Sequence, residues 1–154
     1  MIKSKMYIAT ATAILALGFG SANAQTFNFE SKNDTPVVVG GIGADGGSYV
    51  GSYVTGSGVS TNADGSKLKP TSKCVSMMQP PNGNIFAVHV ACDATRKAAV
   101  YSVAGGCNFM NKEKTEISCV GGLKGKAGEL EGRTGSITWH TKGGISMGTG
   151  QWHE

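Results

Sequence analysis

All but two of the chain's 24 glycines lie beyond residue 24, and from Gly40 they recur through the rest of the sequence. Each glycine inside a helix would cost about 1 kcal/mol relative to alanine, because the freedom lost there is greatest when no Cβ restricts the backbone. In β structure the same residue suits turns, bulges and tight corners. No segment of this region carries a helical period. Between the glycines lie short β-prone runs at 35–39, 48–55, 72–78, 84–92, 98–103, 107–110, 115–120, 136–141 and 145–152, bounded by Gly, Pro, Asn or Asp. Several alternate with period two. In 84–92, Phe86, Val88, Val90 and Cys92 share one face, and Ile85, Ala87, His89 and Ala91 share the other. Both faces are fairly apolar, as expected where a barrel wall is covered on one side by partners or by a filled lumen. Short, regularly spaced strands of this kind predict an antiparallel sandwich or barrel. Pro80-Pro81-Asn82-Gly83 and Ala63-Asp64-Gly65-Ser66 read as hairpin turns. Residues 26–32 read as a loose lead-in, tethered to a strand face by Phe27 and Phe29.

The first 24 residues carry an address. Lys3 and Lys5 precede an apolar run over 7–20 broken only by Thr10 and Thr12, and Ser21-Ala22-Asn23-Ala24 ends in an A-x-A cleavage pattern. That is the pattern of a secretory signal peptide. The run is too short to anchor the mature chain as a bilayer-spanning helix. A mature protein beginning at Gln25 is therefore expected in the periplasm or outside the cell, with 25–154 forming one domain. The formal net charge is +4, and half of it belongs to Lys3 and Lys5. The densest basic cluster (Lys112, Lys114, Lys124, Lys126, Arg133) is interrupted by Glu113, Glu116, Glu129 and Glu131. A nucleic-acid binder needs a continuous basic face, so no nucleic-acid partner is expected.

The four cysteines, Cys74, Cys92, Cys107 and Cys119, all follow the leader. An even number in an oxidising compartment predicts two disulfides, with three connectivities open. Reflection about Asn82-Gly83 sets Cys74 opposite Cys92, and reflection about 111–114 sets Cys107 opposite Cys119. This favours 74–92 with 107–119 over the two crossed pairings. Each bridge is worth about 3 kcal/mol if it acts by restricting the unfolded chain. There is no C-x-x-C pair and no H-x-x-x-H partner, so no metal site is expected.

The strongest pattern lies in the last third. It runs Gly106-Cys107-Asn108-Phe109, Cys119-Val120-Gly121-Gly122-Leu123, then Gly125-Lys126-Ala127-Gly128-Glu129-Leu130-Glu131-Gly132-Arg133-Thr134-Gly135-Ser136, and closes with Gly148-Thr149-Gly150-Gln151-Trp152. Over roughly residues 100–152 this resembles small exported bacterial proteins related to the allene oxide cyclase and dirigent barrels. The resemblance implies an all-β fold, a single antiparallel eight-stranded β-barrel stabilised here by disulfides, and a homo-oligomeric state common in those relatives. It departs from their pattern at Leu130, where an aromatic is usual, and at Ser136, where a glycine is usual. No catalytic set carries over.

Gly41-Ile42-Gly43-Ala44-Asp45-Gly46 has the form G-x-G-x-x-G, but a dinucleotide site needs those glycines to open a helix, and a strand-like Ser48-Tyr49-Val50 follows. It reads as a turn, and no cofactor is expected. His89, His140 and Tyr101 are the candidate acid–base groups, conditional on facing the lumen. Glu129 and Glu131, flanked by glycines, read as a solvated hairpin end. Phe86, Val88 and Trp139 are candidates for lining a site that holds one apolar ligand. The reading is an exported non-catalytic barrel, structural or binding a small apolar ligand or protein partner. The alternative is a cyclase- or isomerase-like enzyme acting on a hydrophobic substrate in the lumen. A membrane β-barrel fits less well, because nine aromatics after residue 24 are too few for two interfacial girdles.

Overall fold

The computed structural model describes residues 25–41, 49–78 and 85–153. Ten strands follow in chain order: β1 (Gln25–Asn33), β2 (Val37–Gly40), β3 (Val50–Asn62), β4 (Lys67–Leu68), β5 (Thr71–Met78), β6 (Val88–Arg96), β7 (Ala99–Phe109), β8 (Glu116–Ala127), β9 (Thr134–Lys142) and β10 (Ile145–Trp152). A 3-10 turn at Gly128–Leu130 joins β8 to β9, and there is no α-helix among the described residues. Eight strands (β1, β3 and β5 to β10) pair antiparallel in chain order, and β10 closes on β1. The fold is a closed, up-and-down, eight-stranded antiparallel barrel. Strands β2 and β4 pair with β3 outside that ring. No helix is long and apolar enough to cross a membrane, which leaves crossing by strands unaddressed.

Both disulfides are cross-strand pairs in direct register. Cys74 opposes Cys92 between β5 and β6, and Cys107 opposes Cys119 between β7 and β8. The uncrossed pairing is the one the protein has. The Gly65 turn is also present, with Asp64 Oδ1 accepting from the Ser66 amide at 2.8 Å. Gly143 and Gly144 both take positive φ in the two-residue β9–β10 loop, as a tight hairpin matched to strand twist requires. The Pro80–Gly83 turn, most of the G-x-G-x-x-G segment and the leader lie outside the described residues.

Two expectations need correction. Residues 26–32 are not a lead-in but most of β1, which pairs with β10 on one side and β3 on the other and so closes the ring. Phe27 and Phe29 point inward and lie against Gly150 and Gly148, where a Cβ would strike their rings. The glycines make room for aromatic side chains that fill the barrel. Runs 98–103 and 107–110 are also not separate, because β7 continues through Gly105 and Gly106. Gly105 faces Gly121 across the β7–β8 ladder, and a Cβ on either would meet the neighbouring backbone.

The core lies at one end of the barrel. Phe27, Ala99, Val103, Leu123, Leu130, Ile137 and Trp152 form one buried cluster. The 3-10 turn drives Leu130 into it, leaving that side chain 1% exposed, and Trp152 is 2% exposed. Arg133 lies over the Trp152 ring and donates to Gln25 Oε1 at 3.0 Å, and Arg96 pairs with Glu129 at 3.0 Å beside it. This end is plugged. A smaller cluster of Val88, Cys107 and Cys119 packs with Met78, Phe109, Ile117 and Trp139 toward the other end.

Candidate functional site

Alternation along each strand sends one set of side chains inward. Between the two clusters those side chains stop short of filling the barrel, leaving a cavity of about 450 Å³, within the range of small-molecule sites. Its apolar wall includes Phe27, Phe29, Val90, Val103, Ile137 and Trp139, together with the Cys74–Cys92 bridge. It opens to solvent at the corner where β1 gives way to β2: Asp34, Pro36, Ser57, Thr71 and Gly144 line it there and are exposed.

The polar part of the lining is organised as two seams. On β3 and β5, the hydroxyls of Ser52 and Ser76 are 2.7 Å apart, with Ser72 one inward position along β5 from Cys74. On β1, β10 and β9, Asn33 Nδ2 donates to Ser146 Oγ at 3.0 Å, and the Ser146 and Thr141 hydroxyls are 2.8 Å apart. Each hydroxyl offers one donor and two acceptor positions, so these pairings leave capacity for another partner. Asp34, at the rim, accepts from the Thr55 hydroxyl. Among the described residues the lining holds no Lys, Arg or His; outside the bridged cysteines its ionisable residues are Glu30, Asp34 and Tyr101, and Glu30 alternates with the inward Phe29 in register with the exposed Met147.

The residues singled out from sequence divide between the two faces. Val88 (8% exposed), Trp139 and Tyr101 line the lumen. Phe86 does not, and this corrects its placement beside Val88. Strand β6 begins only at Val88, and the Ala87 amide is held by the Cys107 carbonyl and Asn108 Oδ1. The period-two pattern therefore does not extend back to Phe86, whose ring instead covers Gly106 and meets the His89 ring edge-on at 6.1 Å.

His89 is exposed and alternates with the inward Val88 and Val90. His140, between the lumen-lining Trp139 and Thr141, instead meets Glu116 at 2.9 Å, and Lys142 joins that carboxylate at 3.2 Å. Lys142, and after it His140, hold the Glu116 carboxyl below its ordinary range. Neither imidazole lines the cavity. Tyr101 does, and burial pushes its hydroxyl above the usual phenol range against the opposing pull of Arg96. At neutral pH it is a hydrogen-bonding hydroxyl and not a base. Glu129 and Glu131 fall at the β8–β9 connection, Glu129 in the ion pair with Arg96 and Glu131 exposed. No group of three or more potential metal ligands occurs among the described residues.

Sequence reasoning did not reach Phe27, Phe29 or the hydroxyl seams. Signals for them existed: Phe27 and Phe29 are two apart, and Ser72, Cys74 and Ser76 alternate along one strand.

Fold and cavity together define a class, a small closed up-and-down barrel with one plugged end and a lumen lined by apolar and hydroxyl groups. No known protein-family model matches the chain, and no curated protein matches it significantly.

Proposed function

We propose that this is an exported, non-catalytic β-barrel of the periplasm or cell exterior, related to the allene oxide cyclase-like barrels, that holds a small apolar ligand in its lumen. The observation that carries this reading is the 450 Å³ cavity reaching solvent between two packed clusters. A purely structural barrel gains nothing from such an opening, since apolar wall left facing water forfeits the burial that stabilises the fold. Binding is favoured over cyclase-like catalysis because neither candidate imidazole, His89 or His140, lines the cavity. The disulfides are compatible with export to an oxidising compartment.

The test uses N-phenyl-1-naphthylamine, an uncharged dye whose emission rises in apolar surroundings. The oxidised protein is expected to bind one equivalent saturably. Val54→Trp, which fills the lumen from its half-buried wall, is expected to weaken binding at least about tenfold by occupying the ligand's space. Circular dichroism and the intact disulfide mass check that the variant folds, and Val90→Phe serves if it does not. Absence of one-to-one binding, or binding indifferent to a folded lumen-filling variant, would overturn the reading.

A further inference from the structure

We infer that the lumen selects an uncharged amphiphile, an apolar body ending in a hydroxyl or carbonyl, over a carboxylate or an ammonium of the same length. The inference rests on the ligand-binding reading and adds the chemical class of the ligand. Aromatic and aliphatic side chains dominate the wall, so most of a ligand's surface would meet apolar atoms. The two seams, Ser52–Ser76 and Asn33–Ser146–Thr141, bring hydroxyls from four strands and an amide from a fifth to the lining. A neutral hydroxyl or carbonyl can both receive from and give to such groups without a net charge to desolvate.

An ionised head faces a different environment. Burying a carboxylate without a paired cation is strongly unfavourable, and no Lys, Arg or His lines the cavity among the described residues. Asp34 lies at the rim and repels an anion further. An ammonium escapes that repulsion, but the Asp34 carboxylate is exposed and screened by water and salt. Inside the lumen the ammonium meets neutral oxygens and the rings of Phe27, Phe29, Tyr101 and Trp139, and cation–π attraction to such rings is smaller than the cost of burying a charge with no paired counter-ion.

The experiment displaces N-phenyl-1-naphthylamine from the oxidised protein with 1-octanol, octanoate and octyltrimethylammonium at neutral pH, checked by calorimetry. Octanol is expected to bind at least about tenfold more tightly than either ion, the scale of one net hydrogen bond plus an avoided charge burial. Ser76→Ala and Thr141→Val are expected to weaken octanol several-fold more than they weaken the dye, because only octanol ends in a hydroxyl for these groups to pair with. Dye binding with octanoate or octyltrimethylammonium equal to or tighter than octanol would overturn the inference and leave the lumen reading intact. The same holds if octanol binds but both variants leave its affinity unchanged. Failure of the dye and all three octyl compounds to bind would remove the lumen reading, and the inference with it.

Discussion

Glycines decide where the aromatic side chains of this barrel can lie. Phe27 rests on Gly150, and a Cβ there would strike the ring, so Gly150→Ala is expected to destabilise the fold by about 1–3 kcal/mol, the usual cost of overpacking a core. Gly65→Ala meets no atom within 4 Å and strains only a left-handed turn, so about 1 kcal/mol is expected there. Urea unfolding of the two variants separates steric from backbone cost. Charge acts more weakly at this scale. Lys126 first, then Ser102, holds the Asp93 carboxyl below its ordinary range. A carboxylate lowered in this way adds stability above its unfolded pKa, and that stability is lost as pH falls through the folded value. Lys126→Ala is therefore expected to raise the Asp93 pKa toward the ordinary carboxylate value, read by carbon-13 NMR titration, and to reduce the protein's advantage at neutral over acid pH.

At the scale of strands, period-two alternation and turn residues made much of the barrel legible. The run at 145–152 coincides with β10, and both disulfides follow from reflection about expected turns. What was missed has a physical cause. Residues 26–32 alternate Asn28, Glu30 and Lys32 with Phe27, Phe29 and Ser31, which reads as polar until the strand is seen to have one face in water. Strand β7 looked broken at Ala104-Gly105-Gly106 because strand propensity falls there; its pairing with β6 and β8 carries it through, the β8 backbone leaving no room for a side chain at Gly105 and the Phe86 ring none at Gly106. Replacing Cys107 and Cys119 together by alanine is expected to cost about 3 kcal/mol from the released loop. The residues are 1% and 5% exposed, so lost packing adds to that cost, and urea midpoints measure the sum. Removing 25–33 would leave β10 and β3 without their shared partner. Such a chain is expected to lose its cooperative thermal transition in calorimetry.

For the molecule as a whole, the sequence made closure and an oxidised state expected, but it did not reveal that the lumen is partly empty. A cavity is a difference between the volume enclosed and the volume filled, and no local run of residues encodes that difference. Nor does alternation tell which face of a strand is inside when both are apolar. Val75, Met77 and Val120 are as hydrophobic as their inward neighbours yet are 55%, 57% and 47% exposed. An apolar ligand therefore has two places to go, and the central claim is that it enters the lumen. The most direct measurement is a two-dimensional NMR titration of the oxidised protein with 1-octanol, following the methyl groups and the two indole N–H signals. The lumen site predicts saturable shifts at the Trp139 indole and the Val54, Val90 and Val103 methyls, with Val75, Met77 and Val120 unmoved. Shifts confined to those outer methyls, with the lumen signals unchanged, would contradict it.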